Sequence, residues 1–266
     1  SLLKGYAGKF EQVSIDEAFL DISSKVNSFE EAYDYAKKVK EAVSLSFNLP
    51  CSVGIGPNKL IAKMACEAAK PNGIKLVRED EIKQFLSELP IEKLYGVGKK
   101  SAEKLKSMGF EKIKDLAKAN KQMLINEFGS FGLELYNHAN GIDEEEVVES
   151  YDSKSIGREH TFEFDTDDES QIEKEIEKLA EEVFEETKKN GFYFKTITLK
   201  LRNKNFEEHL YSKNIGHYIQ DLERLKKESI AIFEANNRKE KIRKIGLRVS
   251  GLIKSKGQRK INEFIG

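Results

Sequence analysis

The sequence predicts an α+β protein of several domains: a mixed α/β amino-terminal part, a helical middle and a carboxy-terminal βαββαβ domain. Three observations carry this. Ile197, Leu199 and Leu201 alternate with Thr198, Lys200 and Arg202, and Ile245, Leu247 and Val249 alternate with Lys244 and Arg248, the period of half-buried strands. Ile172, Ile176, Leu179 and Val183, and again Leu222, Leu225, Ser229 and Phe233, recur at helical spacing between them. Residues 78–141 read instead as short helices broken by glycines.

In chain order, Phe10–Ile22 is strand-like around an acidic pair, Asp16-Glu17, just after an exposed Glu11-Gln12. Ala32, Ala36, Val39, Val43 and Phe47 define one face of a helix from about Ser28 to Phe47. Cys51–Gly56 is a short strand, and Asn58 is placed to cap a helix over Lys59–Ala69. Lys70-Pro71-Asn72-Gly73 is a turn signal, and Ile74–Val77 a further strand that closes a first region, 1–77. After the helical region 78–141, residues 142–153 form an acidic connector, read as a linker. The last domain, 154–257, adds strands at Ser155–Phe164 and near Glu208–Ile215, completing the order βαββαβ. That order implies a four-stranded sheet with its helices on one face and Lys200, Arg202, Lys244 and Arg248 together on the other. A tail, 258–266, follows.

Hydrophobic residues at 39% and charged residues at 34% fit a water-soluble globular chain, and no apolar run is long enough to span a membrane. The chain starts with Ser rather than Met and shows no secretory leader. Its two cysteines, Cys51 and Cys66, form no metal-ligand cluster and read as buried thiols, so a reducing cytoplasm is the expected compartment. The net charge of −1 conceals a segregation: residues 141–190 hold 19 acidic against 6 basic side chains, and residues 195–263 hold 18 basic against 8 acidic. Such an asymmetry is expected of a nucleic-acid surface, although solvated helix and strand faces also produce it.

Two adjacent carboxylates among apolar residues are costly unless something cationic neutralises them, and a hard cation such as Mg²⁺ does so through oxygen ligands. Neighbours in a regular strand point to opposite faces, so Asp16 and Glu17 serve one site only if the chain turns or bulges there. A bare Asp-Glu dipeptide more often marks a solvated turn. Leu94-Tyr95-Gly96-Val97-Gly98-Lys99-Lys100 is a helix-hairpin-helix signature, in which Gly96 and Gly98 let backbone amides approach a DNA phosphate at a helix start.

The run Ser14-Ile15-Asp16-Glu17-Ala18-Phe19-Leu20-Asp21-Ile22 resembles the SIDEA motif of Y-family, or translesion, DNA polymerases of the DNA polymerase IV type. The stretch from Val53 to Gly73 resembles the segment of that family that closes around the incoming nucleotide. The resemblance extends over nearly the whole chain. It implies a partial palm at 1–77, a thumb at 78–141, a linker at 142–153 and a DNA-binding little finger at 154–257. It implies template-directed nucleotidyl transfer with two Mg²⁺ ions, Asp16 and Glu17 as catalytic metal ligands, and primer–template DNA and deoxynucleoside triphosphate as partners. Lys70 corresponds to the lysine that contacts the triphosphate; the alternative is an exposed lysine ending a helix, while Lys59 and Lys63 read as surface or DNA-proximal. Lys154, Ser155 and Arg158 resemble the start of the little finger, whose first strand meets the DNA backbone. Gln258, Ile261, Phe264 and Ile265 resemble a peptide that docks on a sliding clamp, against the alternative of a plain terminus.

The departure lies at the front, where the family carries a first palm strand with another metal-binding aspartate, and the fingers. The expectation is therefore a fragment, inactive as it stands for want of that ligand. A non-catalytic DNA-binding and clamp-binding module is the second hypothesis. A helix-hairpin-helix glycosylase or nuclease is disfavoured, because nothing near Tyr95–Phe110 offers a catalytic Lys/Asp arrangement.

Overall fold

A computed structural model describes residues 2–149, 153–236 and 240–254. The chain divides into two units, Ser1–Tyr151 and Asp152–Gly266.

The first unit opens on an antiparallel hairpin, β1 (Lys9–Gln12) with β2 (Ala18–Asp21), in which Phe10 faces Leu20 and Gln12 faces Ala18. The single strand expected over Phe10–Ile22 is thus two strands and a turn. Helix α1 (Phe29–Phe47) starts at Ser28, whose hydroxyl accepts from the Glu31 amide at 3.1 Å. Ala32, Ala36 and Val39 are buried as their spacing predicts, but Phe47 is 58% exposed. The core under α1, built from Ala32, Ala36 and Ile55, does not reach the helix's last turn. Strands β3 (Val53–Ile55) and β4 (Ile74–Leu76) pair in parallel across helix α2 (Lys59–Ala68). Asn58 caps α2 as expected, its side-chain oxygen accepting from the Ile61 amide at 2.9 Å. A Cβ on Gly54 would lie 2.0 Å from the Ala62 carbonyl oxygen, so α2 lies directly on the β3 backbone. Cys51 and Cys66 are half-buried rather than fully buried, and burial pushes both thiols up.

Five short helices follow: α3 (Ile82–Ser87), α4 (Lys99–Ser107), α5 (Ile113–Ala117), α6 (Lys121–Phe128) and α7 (Ser130–Ala139). Leu60, Ile61 and Met64 of α2 share one core with Leu86, Leu105, Ile113, Leu116, Leu124 and Leu135, so no break in packing falls at 77/78. Residues 143–148 are not a free linker. Asp143 accepts from the Leu60 amide at 2.9 Å, Lys9 pairs with Glu146 at 2.8 Å, and the Val148 amide donates to Glu11 at 3.0 Å.

The second unit runs β5 (Ser155–Thr166), α8 (Glu169–Lys189), β6 (Phe192–Asn203), β7 (Glu208–Ile219), α9 (Leu222–Asn236) and β8 (Ile242–Ser250). The order in the sheet is β5-β8-β6-β7, with every neighbouring pair antiparallel. A short β9 (Ile253–Lys254), which the sequence pattern does not foretell, adds to the start of β6. Ile197, Leu199, Leu201, Ile245, Leu247 and Val249 face α8 and α9 and form the core with Ile176, Val183, Leu225 and Phe233. Ser229, the polar member of the α9 stripe, is buried because its hydroxyl donates to the Leu225 carbonyl at 2.7 Å. The expected βαββαβ fold with helices on one face is the fold observed.

Candidate active site and nucleic-acid interface

The acidic pair sits in the β1–β2 turn. The amides of Val13 and Ser14 both donate to the Glu17 carbonyl, at 3.0 and 3.2 Å, and Ile15 at the tip is 99% exposed. The turn removes the strand alternation that would send the two carboxylates to opposite faces. The Ser14 hydroxyl donates to Asp16 Oδ1 at 2.6 Å; that bond, the backbone amide and then the charges of Lys70 and Lys63 hold the Asp16 carboxyl below its usual range. Glu17 is paired with Lys63 of α2 at 2.6 Å.

From there the charges alternate along α2. Lys63 lies 3.9 Å from Glu67, and Glu67 accepts from Lys70 at 2.5 Å. This relay joins the carboxylate turn to Lys70, and the Glu67 bond raises the Lys70 ammonium. Lys70 is exposed on a loop closed at its base by the Gly73 amide donating to the Ala69 carbonyl at 2.8 Å. Lys40 of α1 pins the same loop. Its ammonium donates to the carbonyls of Cys51 at 2.8 Å and Asn72 at 2.6 Å, and to the Asn72 side-chain oxygen. Asn72 has φ 53°, a left-handed conformation that asparagine tolerates better than most residues.

Two expectations fail here. Glu11 is not exposed: it is 4% accessible, and its Oε1 lies 2.9 Å from Lys59, itself 8% accessible. Lys59 is therefore a buried counter-ion rather than a surface or DNA-proximal residue. Lys63 is likewise largely covered and committed to Glu17. Sequence reasoning also missed Lys40; its place one residue after buried Val39 on the apolar stripe is the available signal.

Asp16 and Glu17 are oxygen donors of the kind a hard cation takes. No group of three possible ligands from His, Cys, Asp and Glu is gathered among the described residues. In this structure the pair offers two such carboxylates, engaged by the Ser14 hydroxyl and the Lys63 ammonium.

At the helix-hairpin-helix turn, Gly96 takes φ 89° and Gly98 precedes α4 without a side-chain cap. A Cβ on Gly98 would meet nothing within 4 Å. The first-turn amides of α4 thus face an open approach flanked by exposed Lys99 and Lys100. Tyr95 stacks on His138 at 6.4 Å between ring centres and steadies the turn from α7.

In the second unit, Lys200, Arg202, Lys244 and Arg248 share the sheet face opposite the helices, as expected. In register Arg202 lies beside Lys244, and Arg248 beside Thr198. Ser155 is on this face, opposite Ser250, and Lys154 is exposed just before it. Arg158 is not on this face. It pairs in register with buried Leu247 and reaches Glu186 of α8 at 2.7 Å, which places it on the helix side. The face is also not purely basic, because Glu159 and Glu208 lie on it and pair with the cations. Gln258, Ile261, Phe264 and Ile265 lie outside the described residues. Among the described residues no helix is long and apolar enough to cross a membrane.

Comparison with known proteins finds matches in three stretches of the chain. Residues 1–67 match the impB/mucB/samB family, residues 79–110 its HHH motif, and residues 153–262 its C-terminal domain. DNA polymerase IV 2 of Methanosarcina mazei is 39% identical over 94% of this chain and 68% of its own length. DNA polymerase IV of Methanoculleus marisnigri is 37% identical over 95% of this chain and 70% of its own. Among solved structures, a Y-family polymerase chimera of Dbh and Dpo4 aligns with a TM-score of 0.85 at 29% identity, covering 95% of this chain and 74% of that one. An insertion ternary complex of Dbh DNA polymerase aligns with a TM-score of 0.63 at 29% identity, with the same coverage.

Proposed function

The chain belongs to the Y family of DNA polymerases, in the DNA polymerase IV group, and from that premise we propose that it carries part of a nucleotidyl-transfer site and grips primer–template DNA. The observation that carries the proposal is the relay from the exposed Asp16-Glu17 turn through Lys63 and Glu67 to Lys70. It places carboxylate oxygens and a mobile ammonium along one helix, the two charge types that a triphosphate with its counter-ions requires. Bound Mg²⁺, held by Asp16 and Glu17, would lower the barrier by activating the primer hydroxyl and neutralising the leaving pyrophosphate.

The chain's own residues prepare this. Ser14 donates to one oxygen of Asp16 and holds the carboxyl below its usual range. Lys63 balances the Glu17 charge until a stronger cation replaces it. Lys70 contributes a point charge to the polyphosphate. In a polypeptide that includes this chain and extends primers, Lys70→Ala is therefore expected to weaken nucleotide binding about tenfold, the worth of one charged hydrogen bond, with a smaller change in kcat. Apparent nucleotide affinity left unchanged in a single-turnover titration removes Lys70 from the triphosphate site.

We further propose that Gly96, Gly98, Lys99 and Lys100 hold one stretch of DNA backbone, and that Lys154, Ser155, Lys200, Arg202, Lys244 and Arg248 hold another. Arg158, engaged with Glu186, is assigned no DNA contact. The partition into partial palm, thumb, linker and little finger and the cytoplasmic setting belong to the same reading. The clamp-docking role of the tail rests on its spacing alone, and a titration of clamp with a peptide of residues 255–266 tests it.

The test of the DNA reading is a salt titration. The chain should bind primer–template DNA without sequence preference, with affinity falling steeply as salt rises. Reversing Arg202, Lys244 and Arg248 to Glu should flatten the slope of log affinity against log salt by about 0.9 for each phosphate no longer neutralised. An unchanged slope places the DNA elsewhere. The second reading, a non-catalytic DNA-binding module, is separated by nucleotide incorporation: it predicts the same titration and no Mg²⁺-dependent extension in any context.

A further inference from the structure

The outer face of the second unit's sheet carries its own anions. Glu159 of β5 gives one carboxylate oxygen to Lys200 at 2.9 Å and the other to Lys244 at 3.0 Å. Glu208 of β7 binds Lys200 at 3.0 Å and Arg202 through both Nε at 3.0 Å and Nη2 at 2.5 Å. The result is an alternating row, Lys244–Glu159–Lys200–Glu208–Arg202, that crosses all four long strands.

The row is built into the sheet. Gly246 of β8 pairs in register with Glu159 on one side and with Lys200 on the other. A Cβ at Gly246 would lie 3.0 Å from Glu159 Cγ and 3.4 Å from Lys200 Cβ. The missing side chain lets Glu159 lean across the intervening strand onto Lys200. Arg202 stands directly opposite Glu208, so its contact follows from cross-strand pairing. Both carboxyls are held below their usual range, Glu159 by Lys200 and Lys244 and Glu208 by Lys200 and Arg202.

A carboxylate offers a lysine or arginine the same paired oxygens that a phosphodiester does. We propose that Glu159 and Glu208 stand in for backbone phosphates on this face, and that DNA must displace them to reach Lys200, Arg202 and Lys244. The inference rests on the assignment of this face to DNA. On it the two glutamates set an upper limit on grip: each keeps two cations satisfied when DNA is absent and repels the incoming strand. Such a limit suits a surface that must track along DNA of any sequence and let go.

The test titrates fluorescent primer–template DNA with the chain as Glu159→Gln, Glu208→Gln and both together. Glu186→Gln, which frees Arg158 on the helix side, is the control. Each glutamine keeps the shape and removes one charge, and both sites are exposed enough that thermal unfolding should not move. Each is expected to tighten DNA binding about threefold or more near 0.1 M salt and to steepen the salt slope, the double more than either, with the control unchanged. Binding that stays the same or weakens in both single variants overturns the proposal and makes the glutamates aligners of the lysines instead. The Arg202, Lys244 and Arg248 reversal in the same titration separates the two levels. If it leaves DNA binding intact, the assignment of the face fails and the proposal with it; if it abolishes binding while the glutamines change nothing, only the proposal fails.

Discussion

Asp16→Ala and Glu17→Ala are each expected to slow nucleotidyl transfer by several orders of magnitude while leaving primer–template affinity within about twofold, since on the proposed reading each removes oxygens that would hold the cations of the reaction and none that would touch DNA. The comparison is made in a polypeptide that includes this chain and extends primers. Asp16 is exposed and Glu17 half-exposed, so neither change should shift thermal unfolding. The cost belongs to chemistry rather than folding, and a stopped-flow burst separates the two. The 266 residues alone, in which the described residues gather no third ligand, are expected to give no extension. Mg²⁺-dependent extension by the pure chain, lost on Asp16→Ala, would show that the pair suffices.

The second large effect is on stability. Lys59→Met should destabilise the first unit by about 3–5 kcal/mol, because it removes the buried ammonium that balances the Glu11 charge in a site where the pair is 5% and 8% accessible. Lys59 also lies 5.2 Å from the centre of the Phe19 ring and 3.3 Å from Glu145, so the hairpin and residues 143–148 loosen together. Adding Glu11→Leu should recover much of the loss, since two apolar side chains can replace a buried ion pair. Recovery stays incomplete because the Val148 amide loses its acceptor. Urea unfolding of the two variants measures both statements; equal midpoints for wild type and Lys59→Met would mean that Glu11 is hydrated in solution.

What could be read from the sequence and what could not divide along physical lines. The βαββαβ order was legible because its strands bury one face and its helices one stripe, so Leu199 and Leu247, or Ile176 and Phe233, announce themselves by period. The β1–β2 turn was legible only as one of two alternatives, because Ser14 and Asp16 suit a turn but no Gly, Asn or Pro fixes one there, and the tip is an isoleucine. The Glu11–Lys59 pair joins residues 48 apart through tertiary packing, which no local pattern encodes. Arg158 was readable in hindsight: it shares parity with Ile156 and Phe162, so the strand itself assigns it to the helix side. The glutamates among the basic residues needed the register between strands, since only alignment of Glu159 with Gly246 brings it to Lys200.

The Lys40 clamp bears on the thermodynamics of nucleotide capture. With three acceptors converging on one ammonium, the 70–73 loop is already ordered when the protein is folded. A ligand meeting Lys70 then immobilises one side chain rather than a segment of backbone, at about 0.5–1.5 kcal/mol instead of that amount for each residue of the loop. On the proposed nucleotide reading, affinity for the polyphosphate would in this way be partly stored in a contact that never touches it, at the carboxy-terminal half of a helix whose other face is core.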